Sequence, residues 1–204
     1  MSEALTKAHA GTSLIIGAAM EGGYFAGVIN VAGTHYGLAV SPKAGDLDPM
    51  PWGETGPDIG ATSCCDGMAN TLAMADAGSE LAQAIRKLNL DGYDDWYLPA
   101  RDEQEMLYRQ FKPLAHSNAA TFRDGDNPSS VPGGYPYTAE TPPQTTVEVF
   151  QADGPEAFEP RFYWASTQYS ANFAWDQDFA NGTQGIDPKG VALRARAVRR
   201  FLIN

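Results

Sequence analysis

Asp94, Asp95, Glu103 and Glu105 lie close together in the stretch DGYDDWYLPARDEQE. Paired carboxylates of this kind can act as general acid and base when one is held protonated and the other ionised. An enzyme built on Asp94, Asp95 and Glu103 would use residues 112–160 as a lid. Asp176, Asp178 and Asp187 form a second acidic group, but strand alternation puts only the first two on one face, and no third cation ligand is defined. Ser13, Ser41 and Ser166 have no His–Asp pair in a hydrolase pattern. His9, His35 and His116 are scattered singly, and Cys64 and Cys65 are adjacent, which suits neither an unstrained disulfide nor a tetrahedral metal site. Gly22-Gly23 and Gly133-Gly134 lack the strand, lysine and helix of a phosphate cradle. These patterns predict no cofactor, no metal and no catalytic residue. The remaining candidates are the loop aromatics Trp52, Tyr135 and Tyr137, expected to supply ligand contacts because rings on loops give contact area at low entropy cost.

The elements that would carry these groups belong to one domain. A chain of 204 residues with 43% hydrophobic and 19% charged residues can bury one core, and no low-complexity run divides it. A net charge of −11 opposes phosphate backbones and anionic membranes, so nucleic acid is not an expected partner. No apolar run reaches the ~20 residues of a membrane span. The first residues lack a basic start followed by an apolar stretch, so no signal peptide is expected. Residues 1–20, with the apolar run Leu14-Ile15-Ile16, read as an arm that attaches to a partner chain. Residues 21–204 read as the domain.

Within the domain, Tyr24–Val31 and Thr34–Val40 flank Ala32-Gly33 as a hairpin. Residues 43–65 read as a Gly/Pro/Asp-rich loop. Apolar residues at helical spacing predict one helix from Asp66 to about Leu90, weakened at Gly78, and a second from Arg101 to Phe111, stopped by Pro113. Residues 112–160 are poor in periodicity. Phe162–Ser166, Asn172–Phe179 and Val191–Ile203 read as strands of an antiparallel sheet, with Asn181-Gly182 as a turn. The fold class expected is α+β, with two helices packed on antiparallel sheets and long loops.

The segments YDDWYLPARDEQEMLY and FYWASTQYSANFAWDQDFANGTQ, followed by the closing LRARAVRRF, together resemble the Lcl C-terminal-like domain family. The resemblance runs over roughly residues 22–201 and is most specific at Asp95-Trp96-Tyr97-Leu98-Pro99, at Tyr163-Trp164-Ala165-Ser166-Thr167 and at the terminal Arg-Ala-Val-Arg-Arg. It implies a C-type-lectin-like fold, found on bacterial adhesins and in bacteriophage and prophage proteins. It also makes the last strand a neighbour of the acidic cluster, so Asp94 and Asp95 are expected in structural ion pairs with Arg194, Arg196 and Arg199. Trp96, Trp164 and Trp175, inside the motif segments, are expected in the core.

The sequence departs from the wider fold's patterns at several positions. Ala100 stands where a helix-capping Ser or Thr is expected. Glu159-Pro160-Arg161 and Trp175-Asp176-Gln177 lack the oxygen ligands of calcium-dependent sugar binding. No cysteine follows Cys65, which removes the chemistry of formylglycine-generating enzymes. The expected function is a non-enzymatic virion component, made in the host cytoplasm, that displays a lectin-like domain for host adhesion or particle assembly. Its expected partners are other virion subunits through residues 1–20 and a host glycan or protein. A homo-oligomer is expected, a trimer by analogy with phage display proteins.

Overall fold

The computed structural model describes residues 14–121 and 123–203. Strand β1 (Ala19–Met20) pairs with β2 (Gly23–Val31), and β2 with β3 (Thr34–Val40), all antiparallel. Ala32 and Gly33 both have positive φ, 50° and 88°, which gives the hairpin turn the twist its strands need. The strand β4 (Asp46–Pro51) follows, within the stretch expected to be loop. Helices α1 (Gly67–Asp76), α2 (Glu80–Ile85) and α3 (Arg101–Phe111) come next, then the short β5 (Ser130–Val131). The chain closes with β6 (Phe162–Gln168), β7 (Phe173–Asp178), β8 (Gln184–Pro188), β9 (Ala192–Arg196) and β10 (Val198–Leu202).

The architecture is α+β, with three helices and two largely antiparallel sheets among the described residues. One sheet runs β1-β2-β3-β10 with β5 also on β2, and the other runs β4-β9-β6-β7-β8, where only β6 and β9 are parallel. The single helix expected over 66–90 is two. Gly78 sits at φ +91°, which ends α1, and the Ser79 hydroxyl accepts from Ala82 N–H to start α2. The single strand expected over 191–203 is also two. It crosses from one sheet to the other at Ala197, whose N–H bonds Gly45 O and whose carbonyl accepts from Ser41 N–H.

The expected boundary after residue 20 falls between β1 and β2, which pair with each other. Ile16 packs on the core and Gly17 N–H donates to Phe25 O, so residues 16–20 belong to the domain. Residues 1–13 of the expected arm lie outside the described residues. One core cluster lies around α3 and joins Leu38, Leu107, Phe111, Phe150, Phe158 and Phe179; another gathers Trp52, Trp96 and Trp164 under α1 and α2. No helix among the described residues is long and apolar enough to cross a membrane.

Candidate functional site

Helix α3 lies at the centre of the site, and its first turn is held by its own Glu103 and by residues remote in sequence. Ala100 has no side chain to cap it. Instead, Glu103 Oε2 accepts the Ala100 N–H at 2.7 Å, Thr167 Oγ1 accepts the Arg101 N–H at 2.9 Å, and Cys64 O accepts the Asp102 N–H at 2.8 Å. Ser166 N–H donates in turn to Pro99 O at 2.8 Å. The LPARDE and YWAST segments thus satisfy each other's backbone, leaving few orphan donors at the helix start. The Glu103 bond has the three-residue spacing of a capping box, whereas Thr167 and Cys64 lie far along the chain, where sequence reasoning could not find them.

The members of the acidic cluster are drawn into separate contacts. Glu103 is fully buried, and its Oε1 accepts the Tyr97 hydroxyl at 2.7 Å while Oε2 spans the starts of α1 and α3. Burial pushes its carboxyl up to about 7, against the pull of those bonds. Asp95 makes a two-point bond to Arg199, at 2.7 and 2.9 Å, and Arg199 also reaches Glu21 and stacks on Tyr93. Asp94 is exposed and makes no ion pair among the described residues. Arg194 pairs with Asp46, Arg196 with Glu156, and Arg200 with Asp66. Of the ion pairs expected between Asp94 or Asp95 and the terminal arginines, Asp95–Arg199 forms. The other two arginines find nearer acids because β9 lies in the second sheet, beside β4. A shallow groove of about 170 Å³ holds Asp94 and Asp95 with Arg86 and Leu72, but Glu103 does not line it.

Of the three loop aromatics expected to contact a ligand, two are buried. Trp52 is 1% exposed, donates Nε1–H to Ala165 O at 2.9 Å, and carries Lys189 over its ring. Tyr137 is 5% exposed and donates its hydroxyl to Glu105 at 2.8 Å. Both rings are the large apolar groups of irregular segments, and burying them anchors chain that has little regular structure of its own. Tyr135 is the exposed one, at 53%.

Tyr135 stands at the rim of a cleft of about 220 Å³ between α3 and residues 130–135, which Gly27 and Val28 of β2 also line. Below its ring lies the Arg109 guanidinium, 4.3 Å from the centroid. Arg109 is pinned by Glu105, at 2.8 Å, and by the carbonyls of Gly125 and Tyr135, at 2.8 and 3.0 Å. Glu105 also accepts from Asn127 and Tyr137, so each of its oxygens is occupied. The buried Nη1 of Arg109 has no hydrogen-bond partner among the described residues. The cleft offers an exposed aromatic face backed by a fixed guanidinium. It can bind and orient a polar ligand, but offers no free acid–base pair. Arg109 was not singled out in the sequence; its one local signal is the Glu105–Arg109 spacing along a helix face.

In the second acidic group, Asp176 is 3% exposed and neither carboxylate oxygen has a hydrogen-bond partner among the described residues. Burial, with Asp187 and Asp178 nearby, pushes it up to about 7. Among the described residues no group of three or more His, Cys, Asp or Glu side chains could hold a metal ion.

The sequence profile of the Lcl C-terminal domain matches residues 52–199, well over half of the chain. This chain belongs to the Lcl C-terminal domain family. No curated protein matches it. In this Lcl C-terminal domain the matched span takes in α3, Arg109, Tyr135 and the second sheet apart from β4, and ends at Arg199, the clamp on Asp95. Strands β1 to β3, which form most of the first sheet and one wall of the cleft, precede it.

Proposed function

We propose that this Lcl C-terminal domain is a non-enzymatic recognition module on a C-type-lectin-like scaffold, displayed on a bacteriophage or prophage particle and binding the host surface through the Arg109–Tyr135 cleft. The observation that carries the reading is the exposed Tyr135 ring held over a guanidinium that three acceptors keep in place. A preorganised aromatic and cationic pair on a loop-lined cleft gives contact area at low entropy cost on binding. The acids favour recognition over catalysis, since Glu103 and Glu105 are consumed by backbone and side-chain donors and Asp95 by Arg199. An acid–base site needs two convergent titratable groups in one pocket.

The virion setting rests on the family resemblance. The purified domain should bind host cells and block adsorption of the particle, and Tyr135→Ala should weaken both about tenfold, as loss of a central aromatic contact does, with an unchanged unfolding midpoint. A parent domain that neither binds host cells nor competes with particles would sink the adhesion reading and leave structural cement between virion subunits.

A further inference from the structure

The outer β7–β8 hairpin and the turn that leads into it carry a second group of exposed apolar side chains, apart from the Tyr135 cleft. Tyr169 is 56% and Ile186 39% exposed, Trp175 and Phe173 are half-buried, and none of the four joins a core cluster. Trp175 pairs across the ladder with Ile186. The rings of Tyr169 and Trp175 meet at 84° with centroids 5.6 Å apart, forming an aromatic corner. Buried Arg101 covers the inner face of the indole at 5.0 Å and is itself tied to Gln184 and to Asp126 O. The other tryptophans, Trp52, Trp96 and Trp164, are all buried. Trp175 thus departs from the core placement expected of tryptophans in these motifs. Core packing does not account for this patch, and contiguous exposed apolar groups on a rigid edge mark a contact site.

The chemistry of the corner narrows its ligand. Arg101 already occupies one face of the indole, so a second cation stacked there would meet like charge. The net charge of −11 opposes anionic polymers, and the Arg101 Nε and Nη2 that would attract one already donate to Gln184 and Asp126 O. What fits is an uncharged ligand with a flat apolar face and a polar edge. A pyranose ring has this form, with its axial C–H bonds on one face and hydroxyls around the rim. We propose that Tyr169, Trp175 and Ile186 form a binding subsite for a neutral saccharide, with the sugar ring stacked on the indole and bordered by the tyrosine. This rests on the recognition reading and assigns it a ligand class.

Because the other three tryptophans are buried, acrylamide quenching of tryptophan emission reports on Trp175. Cellohexaose, maltohexaose and chitohexaose at millimolar concentration are the probes. At least one should reduce quenching severalfold, and calorimetry with that saccharide should show Trp175→Ala and Tyr169→Ala each losing about tenfold in affinity at unchanged unfolding midpoints. Trp175 left equally quenchable by all three overturns the subsite. So does protection that grows with protein concentration without sugar, which would mean a second copy covers the corner. If saccharide protects Trp175 while the parent domain fails to bind host cells, the adhesion reading falls and the subsite stands. Host binding that is sensitive to Tyr135→Ala without any protection of Trp175 gives the reverse.

Discussion

Glu103 and Gly67 are joined by a backbone bond: Oε2 of the carboxylate accepts the Gly67 N–H at 3.1 Å while holding the Ala100 N–H at 2.7 Å, so one side chain closes the starts of two helices. A Cβ at position 67 would lie 2.4 Å from that oxygen and 2.6 Å from both Ala100 N and Leu98 O. Only glycine lets the strands of contact approach so closely.

Glu103→Ala should therefore cost about 3 kcal/mol, because it leaves buried N–H donors and the Tyr97 hydroxyl unmet. Gly67→Ala should destabilise as well, through backbone overlap that no rotamer relieves. Urea denaturation of both variants measures this, and a Glu103→Ala protein as stable as the parent would remove the capping role.

The neighbours Asp94 and Asp95 should behave differently. Asp95→Ala breaks the two-point bond to Arg199, leaves that largely buried guanidinium with Glu21 alone, and should cost about 1–2 kcal/mol. Asp94→Ala removes an exposed group with no ion pair and should fall within about 0.5 kcal/mol of the parent. Equal losses at the two positions would contradict the assignment of the clamp to Asp95.

Stability should fall as the pH rises from about 4 to above 7. Asp176 has a folded-state value raised to about 7 from the ordinary 3.8, so the folded protein holds the proton more tightly than the unfolded chain does. Its favourable contribution is complete below the unfolded value and is lost as pH climbs through the folded one. Glu103, raised to about 7 from 4.5, acts in the same direction. Asp176→Asn, which cannot ionise, should match the parent near pH 4 and exceed it by about 2 kcal/mol at pH 8. Parallel pH–stability curves for the two proteins would refute a buried, unpaired carboxyl at this position.

Truncation should separate attachment from folding at a different place than residue 20. Deleting residues 1–20 removes β1 and the contacts of Ile16 and Gly17 with the first sheet, and should lower the unfolding midpoint. Deleting residues 1–13 spares these contacts, so its midpoint should lie above that of the longer deletion. Light scattering on the shorter deletion then tests assembly: a drop in oligomer mass supports an arm that binds a partner, and an unchanged mass opposes it.

Local patterns in the sequence were enough for several elements. The β2–β3 hairpin follows from its alternation and the Ala32-Gly33 turn, and α3 from its helical spacing between Pro99 and Pro113, because hydrogen bonds between near neighbours dictate both. The aromatic and acidic candidates were visible as residue types. Their roles were not, since burial depends on what the rest of the chain brings to them.

Tertiary structure alone decided that Trp52 and Tyr137 are anchors while Tyr135 and Trp175 meet solvent, and that Arg199, not Arg194 or Arg196, reaches Asp95. It also decided the cap of α3 from Thr167 and Cys64, the split of the terminal segment between two sheets at Ala197, and the position of Arg109 beneath Tyr135. Each of these joins residues distant in sequence. Periodicity tells which face of an element is apolar, but not which partner will lie against it; that is set by how the two sheets and α3 close on one another.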